Sequence, residues 1–595
     1  MVCLTLLPFG NDVAIADLIS GTIASNRTLS GSNTLQGTVV VPAGVVLTIA
    51  PGATLLMQAN AILEVRGQLL ADGTAAAPIL FTREASGVKW KRIFFINAAD
   101  SRLSHCTIEH ADSAGSHQDY YDNDCDPSTP PLARNYHEAI VVLASHVDFT
   151  ACTFRNLPDS GSTAEGDALA IVSDDPTNPG AASAHIDGCQ FLSIGQAVHT
   201  RYSFVIVENC YFVGKRGDND DVDLYGESTP PPIIRYNNFA MPVHEDRINP
   251  TRCSAIIIGN IIHGSDDHGI VLRDLSAPIV MNNLIYGCTS AGISVQNQCN
   301  ALLVNNTIVG VGGSSRGVRF FDHTSRWGPP YCLNPGSGRA TLINCIIWNC
   351  TNSLTLDDSP YTGDRGSHAT VMYCNINQAT ATVSTNSTLT WGAGNIYVNP
   401  QFATGTYRPV AGAPGIDAGV DPVSIAPALS AIPSIDLDDI PRPLDGNGDG
   451  TPKYDMGAYE FLLATADSNA DGIPDGWTHE HGLNPMAPGV ASGNPDADAF
   501  TTYDEWIADT NPMDWQSAFR IESLTLAAHT FTVRFLSSTA RRYTLFSATD
   551  LGTQPIIWSP VPGQTAMPGT GSLQTLSDSS LAPLREFFRV GVEVP

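Results

Sequence analysis

Carboxylates, imidazoles and guanidinium groups crowd together at three places in the chain. KRGDNDDVDLY carries Asp218, Asp220, Asp221, Asp223 and Tyr225, HEDR carries His244, Glu245, Asp246 and Arg247, and GSDDHGIVLRD carries Asp266, Asp267, His268, Arg273 and Asp274. Carboxylates held a few ångströms apart cannot all stay ionised unless one takes up a proton or the group holds a cation. The set therefore admits three readings: an acid/base pair, a calcium site, or a solvated acidic row that protects the fold from aggregation. On the first reading Asp221, Asp223, Asp266 and Asp267 supply acid and base, and His268 and Arg273 orient them. His199, Arg201, Tyr225, Arg273, Arg319 and Trp327 are then the candidates for holding a sugar polymer.

A different chemistry is written further on. DSNADGIPDGW places Asp467, Asn469, Asp471, the carbonyl of Ile473 and Asp475 at alternating positions, with Gly472 at the sharp turn. Hard oxygens at that spacing suit Ca²⁺. Position twelve, where an EF-hand has a bidentate Glu, is Thr478, so the ligand set is incomplete. DGNGDG repeats the spacing at Asp445, Asn447 and Asp449, and NPDADAFTTYDEW offers a weaker acidic stretch with Asp496, Asp498 and Glu505. Calcium is the one cofactor expected, and it should order residues 462–515.

The elements that must position these groups are set by a repeat. SHCTI, TACTF, DGCQF, ENCYF, YNNF, GNII, NNLI, NNTI, NCII and YCNI recur at Cys106, Cys152, Cys189, Cys210, Asn238, Asn260, Asn283, Asn306, Cys345 and Cys374, with many steps close to 23 residues. Each unit has short apolar runs broken by Gly, Asn or Asp and no helical spacing. About 23 residues are too few for a helical repeat of 33 or more, but they fit three short strands and three turns, so successive coils must pair as parallel sheets. The Cys or Asn at the fixed position should point inward and stack on its counterparts, and Phe212 and Phe239 should fall in register. Cys125 and Cys332 sit in insertions and are the candidates left for a disulfide.

Composition narrows the function. There are 595 residues with 30 basic and 59 acidic side chains, a net charge of −29, only 15% charged residues and 43% hydrophobic ones. Four of the basic residues are Lys, and Asp outnumbers Glu by about three to one. Nucleic acid is excluded as a partner, and long-range repulsion disfavours a polyanion unless calcium bridges it. No run reaches the ~20 apolar residues of a membrane span. Residues 1–16 read as a signal-peptide remnant without a basic start, with Ala14 and Ala16 before Asp17. The expected location is secreted or cell-surface.

The repeat, the opening GTVVVPAGVVLTIAPGATLLMQANAILEVRGQLLADGTAAAPILFT and the closing GNIYVNPQF to DMGAYEF resemble secreted bacterial right-handed β-helix proteins of the pectin-lyase-like superfamily. The resemblance implies an all-β chain: a right-handed parallel β-helix over 17–395 and a closing segment over 396–461. An Asp-rich linker similar to thrombospondin type 3 repeats and dockerins follows over 462–515. The alternating runs TFTVRFL, RRYTLFSA and REFFRVGVEV read as a small antiparallel β-sandwich over 516–595, expected to act as spacer or attachment to a cell surface or matrix. The acidic region also partly resembles polygalacturonase-type glycoside hydrolases, with Asp266 and Asp267 in place of their Asp-Asp and His268-Gly269 in place of their His-Gly, although no Arg-Ile-Lys is present. A monomeric glycoside hydrolase acting on a polysaccharide is the leading expectation. A calcium-dependent polysaccharide lyase and a non-catalytic calcium-binding surface protein are the alternatives.

Overall fold

The structure is a computed structural model, and it describes residues 17–111, 136, 138–157, 166–173, 177–213, 220–240, 246–310, 315–322, 336–360, 366–552, 554–579 and 586–595. The chain divides into two compact units, one of residues 1–439 with 454–460 and one of 440–453 with 461–595. The segment expected to close the β-helix is thus shared between them.

In the first unit every rung contributes three short strands, and each pairs in parallel with its equivalents one rung before and after. One series runs from Arg27–Leu29 through Val46–Ile49, Gln68–Asp72, Ser101–Ser104 and onward to Thr388–Trp391, a 14-stranded sheet. The other two series merge into a 26-stranded sheet, because the long strand Ser32–Val41 pairs with Thr54–Met57 by its first half and with Ile62–Val65 by its second. Alternation in the sequence sets the inside and outside. Val46–Ile49, Thr54–Met57 and Ile62–Val65 bury every second residue. The inward residues fuse into one continuous apolar core, in which Phe154, Phe191, Phe212 and Phe239 stack with centroids 5.0, 4.9 and 4.4 Å apart.

One corner of the coil is built the same way in rung after rung. A residue with positive φ immediately precedes the recurring Cys or Asn: His105, Ala151, Gly188, Asn209, Tyr236, Gly259, Asn282, Asn305, Asn344 and Tyr373. This left-handed corner turns the next side chain into the core. There the amide of Asn237 donates to Asn260 Oδ1 at 3.0 Å, that of Asn260 to Asn283 at 2.9 Å, and that of Asn283 to Asn306 at 3.0 Å. Cysteines take the same place at either end of the run, where Cys152 N–H donates to Cys189 Sγ and Cys345 N–H to Cys374 Sγ. The ten described cysteines are all free thiols, and burial pushes Cys288 and Cys299 up to about 12, which keeps them protonated. Cys125 and Cys332 lie outside the described residues.

At three of the corners Asn has a second use. Asn282 donates to the Ile435 carbonyl, Asn305 to Asp455 and Asn344 to Val420, so three consecutive corners hold the closing segment against the coil. Leu429 fills a small apolar cluster with Ile258, Met281, Val304 and Ile343.

In the second unit, Ile521–Ala527, Thr530–Leu536 and Leu573–Asp578 form one antiparallel sheet, and Arg542–Ala548 pairs with Ser559–Pro560, Met567–Pro568 and Phe587–Glu593 in another. Val533, Phe535, Tyr543, Leu545, Val561 and Leu576 supply their shared core. Before them come two short helices, Asp475–Glu480 and Thr502–Ala508.

The ladder makes a strong prediction. Asn283, fully buried, accepts from the Asn260 backbone and side chain and donates to Ile257 O, Met281 O and Asn306 Oδ1. Asn283→Ala removes the acceptor of the buried Asn260 N–H and interrupts the chain of amides, so urea unfolding should show a loss of about 2–4 kcal/mol. A loss near zero would mean the ladder is incidental to stability.

Candidate functional site

The first strands of the coil bury one face only, but Asp167–Val172, Val198–Arg201, His268–Leu272 and Ala291–Gln296 are buried along their whole length. At Asp167–Val172 the outward positions are the apolar Ala170 and Val172, and from Val198–Arg201 onward they become mostly polar. Parallel register runs His199, Asp223 and Asn249 in one column and Tyr225, Thr251 and Arg273 in the next, two residues further along the strands. Backbone rungs lie about 4.8 Å apart, so the columns are continuous polar tracks.

The predicted residues divide into separate groups. Asp221 is buried against Arg247, whose Nη1 donates to its Oδ2 at 2.6 Å while Nε and Nη2 donate to the carbonyls of Gly264 and His263. That ion pair ties neighbouring rungs together. Asp223 lies 3.5 Å from His199 Nδ1. Arg201 sits over the Tyr202 ring, and Tyr225 accepts from Arg252 Nη1 at 3.1 Å. Arg319 faces Asp357 at 3.4 Å and lies 4.0 Å over the Phe321 ring. Trp327 lies outside the described residues, as do Asp218, His244 and Glu245.

The register separates Asp223 from the Asp-Asp pair. Its column continues through Asn249 to the position of Val271, since Ile248 pairs with Ile270. Asp267 lies four residues earlier, in the turn that precedes His268–Leu272, and two rungs away. Asp223 and Asp267 thus occupy different columns of the sheet.

What the fold does assemble is centred on Asp246, which the sequence placed in an acidic turn without singling it out. Asp246 Oδ1 accepts from the backbone N–H of His268 at 3.0 Å and lies 3.0 Å from its Nδ1, and Asp246 Oδ2 takes Arg273 Nη2 at 3.5 Å. Asp267 Oδ1 is also 3.0 Å from His268 Nδ1. Asp246 and His268 are buried, Asp267 keeps 41% of its side chain exposed, and Asp266 beside it is exposed. Burial alone would lower the His268 pKa; the two carboxylates reverse this and push it up to about 9. Burial would likewise raise Asp267, but bonding to His268 and Ser290 and the charge of Arg273 hold it below the usual carboxylate range. At neutral pH the site thus presents an ionised, solvent-facing carboxylate backed by a buried cation.

Ser290 Oγ lies 3.4 Å from His268 Nε2, which superficially completes a Ser-His-Asp series. An imidazole already protonated at neutral pH cannot take the serine proton, so this is not an activated nucleophile.

The expected calcium residues lie in the second unit, and most of their oxygens serve the backbone. Asp467 accepts from Asp471 N–H and Gly472 N–H, Asn469 from Asp471 N–H, Asp471 from Ile473 N–H and Asp475 from Ser468 N–H. Burial, together with Asp467 and Asp471 nearby, raises the Asp475 pKa. Asp445 accepts from the N–H groups of Gly448, Asp449 and Gly450, and Asn447 Oδ1 accepts from Asp449 N–H.

Comparison with known proteins agrees with this architecture. The family model described as a right handed beta helix region matches residues 93–327, and no curated protein matches the chain. The coil is a right-handed parallel β-helix. Similar solved structures include the periplasmic alginate epimerase AlgG, at 12% identity, 60% of this chain, 78% of that chain and a TM-score of 0.32. PfbA, a surface adhesin of Streptococcus pneumoniae, is 10% identical over 49% of this chain and 84% of its own, TM-score 0.27. The A-module of the mannuronan C-5 epimerase AlgE6 from Azotobacter vinelandii is 13% identical over 64% and 89%, TM-score 0.22. Among the described residues no helix is long and apolar enough to cross a membrane.

The His268 pairing has a defined pH signature. Its folded value of about 9 lies above the 6.5 of an unpaired imidazole, so its stabilisation is complete below about pH 6.5 and is lost as pH rises through about 9. The thermal stability advantage of wild type over His268→Gln should hold constant up to pH 6.5 and shrink steadily to pH 9. An advantage that grows over that interval would contradict the assigned cation.

Proposed function

We propose that the protein processes a polysaccharide laid across the polar tracks of the β-helix, as a glycoside hydrolase. The observation that carries this reading is the Asp246–His268–Asp267 arrangement: a buried aspartate fixes a histidine cation, which presents an accessible ionised carboxylate beside a polar face several rungs long. A linear polymer suits such a face, because outward positions recur at every rung. In this reading Asp267 acts on the sugar as base or nucleophile, and Asp266, next to it on the exposed turn, is the second carboxyl of the pair. His268 and Arg273 position Asp246 and Asp267. Asp221 holds rungs together, and the half-buried Tyr225 and Arg273 line the track where the glycan is bound, supported from beneath by the buried His199, Asp223 and Arg201.

The test is product analysis with the full chain on a panel of neutral and acidic glycans. Hydrolysis releases reducing ends with no absorbance from unsaturated uronates, whereas a lyase produces both. Asp267→Asn should lower turnover at least a hundredfold, while Tyr225→Ala should raise KM with little change in kcat. No product from any glycan, or full activity in Asp267→Asn, would refute the hydrolase and leave the non-catalytic surface protein as the better account.

A further inference from the structure

In the second unit another acidic group has a different character from the loops on which calcium was expected. Asp496, Asp498 and Glu505 each direct one oxygen to a common point, the three lying within 4.8 Å of one another. The other oxygen of each side chain is occupied: Asp496 Oδ1 accepts from Asp498 N–H at 3.2 Å, Asp498 Oδ1 from Phe500 N–H at 2.6 Å, and Glu505 Oε1 from the Thr510 hydroxyl at 3.4 Å. Asp496 Oδ2, Asp498 Oδ2 and Glu505 Oε2 are buried and have no hydrogen-bond partner. Glu505 as a whole is only 1% exposed.

Three unpartnered carboxylate oxygens facing one another inside a protein are unfavourable unless something positive sits among them. The local fold fixes them there. Thr501 and Asp504 form a reciprocal capping box that starts the helix Thr502–Ala508, so Glu505 enters on its first turn, directed back toward the loop. Asn494 Oδ1 accepts from Asp498 N–H and its amide donates to the Asp498 carbonyl, closing the loop. Arg541 donates to the carbonyls of Trp506 and Ile507 at the other end of the helix.

We infer that Asp496, Asp498 and Glu505 form a calcium-binding site. Asn494, Asp496, Asp498 and Glu505 occupy positions one, three, five and twelve of a twelve-residue loop, the spacing that wraps hard oxygens around Ca²⁺, including the Glu that the Asp467 loop lacks. The Asp467 loop lies alongside: a side chain on Gly472 would meet the Tyr503 ring at 3.1 Å, and Asn469 donates to the Ala487 carbonyl.

The test is calorimetric titration of the metal-free full chain with Ca²⁺ alone, paralleled by Tb³⁺ luminescence sensitised through Trp506, the residue after Glu505. Wild type should show a saturable Ca²⁺ site with dissociation constant below a millimolar. Glu505→Gln, nearly isosteric, and Asp498→Asn should each weaken that site at least tenfold. Asp471→Asn should leave its affinity within threefold. Circular dichroism in chelator matching wild type shows that each variant is folded, and should one fail, the other decides. The inference is overturned by the absence of saturable binding in wild type, by unchanged affinity in the folded Glu505 or Asp498 variant, or by a loss confined to Asp471→Asn. These outcomes are independent of any glycan result.

Discussion

The coil depends on one corner. A residue held at positive φ turns the chain so that the next side chain, Cys or Asn, enters the core, and that side chain bonds to its counterpart one rung away. Non-glycine residues adopt this conformation at a cost, least for Asn. The rung-to-rung bonds offset it by satisfying polar groups that would otherwise be buried alone. Repetition of the corner fixes the rung height and the strand register. It thereby fixes which side chains face out together along the sheet.

The chemistry sits beside the structural pairs and differs from them in exposure more than in residue type. Asp221 with Arg247 and Asp246 with His268 are both buried ion pairs between rungs. The first closes on itself, with the remaining guanidinium nitrogens bonded to carbonyls. The second extends to Asp267, which reaches solvent and remains ionised. Rigid parallel rungs suit this arrangement, since a buried aspartate on one rung can hold a histidine on the next without a flexible loop between them.

The fold was largely legible in the sequence because its signal is repeated: ten phrases with Cys or Asn in one place leave few architectures, and the stacking of Phe212 on Phe239 follows from the same alignment. The corner was less legible. Asn282, Asn305 and Gly259 announce a left-handed residue, but His105, Ala151, Tyr236 and Tyr373 adopt it through their position in the coil, against their intrinsic preference. Asp221, Asp223, Asp266 and Asp267 were recognisable as one acidic region. Sequence alone did not separate them, because one residue of register decides whether a carboxylate meets Arg247, His199 or water. Asp246 stood out no more than Glu245 beside it, and its importance comes from a partner on the next rung, 22 residues away. Glu505 illustrates the same limit, since its spacing from Asp496 is readable whereas its burial without a partner is not.

The central claim is that a glycan is engaged on the outward face at the Asp246–His268–Asp267 turn. Hydrogen–deuterium exchange of the full chain with and without an oligosaccharide substrate tests it directly. The account predicts slower exchange in 220–225, 246–251 and 261–274, with the 14-stranded sheet on the other side of the coil unchanged. Protection confined to the second unit, or spread evenly over both sheets, would contradict it.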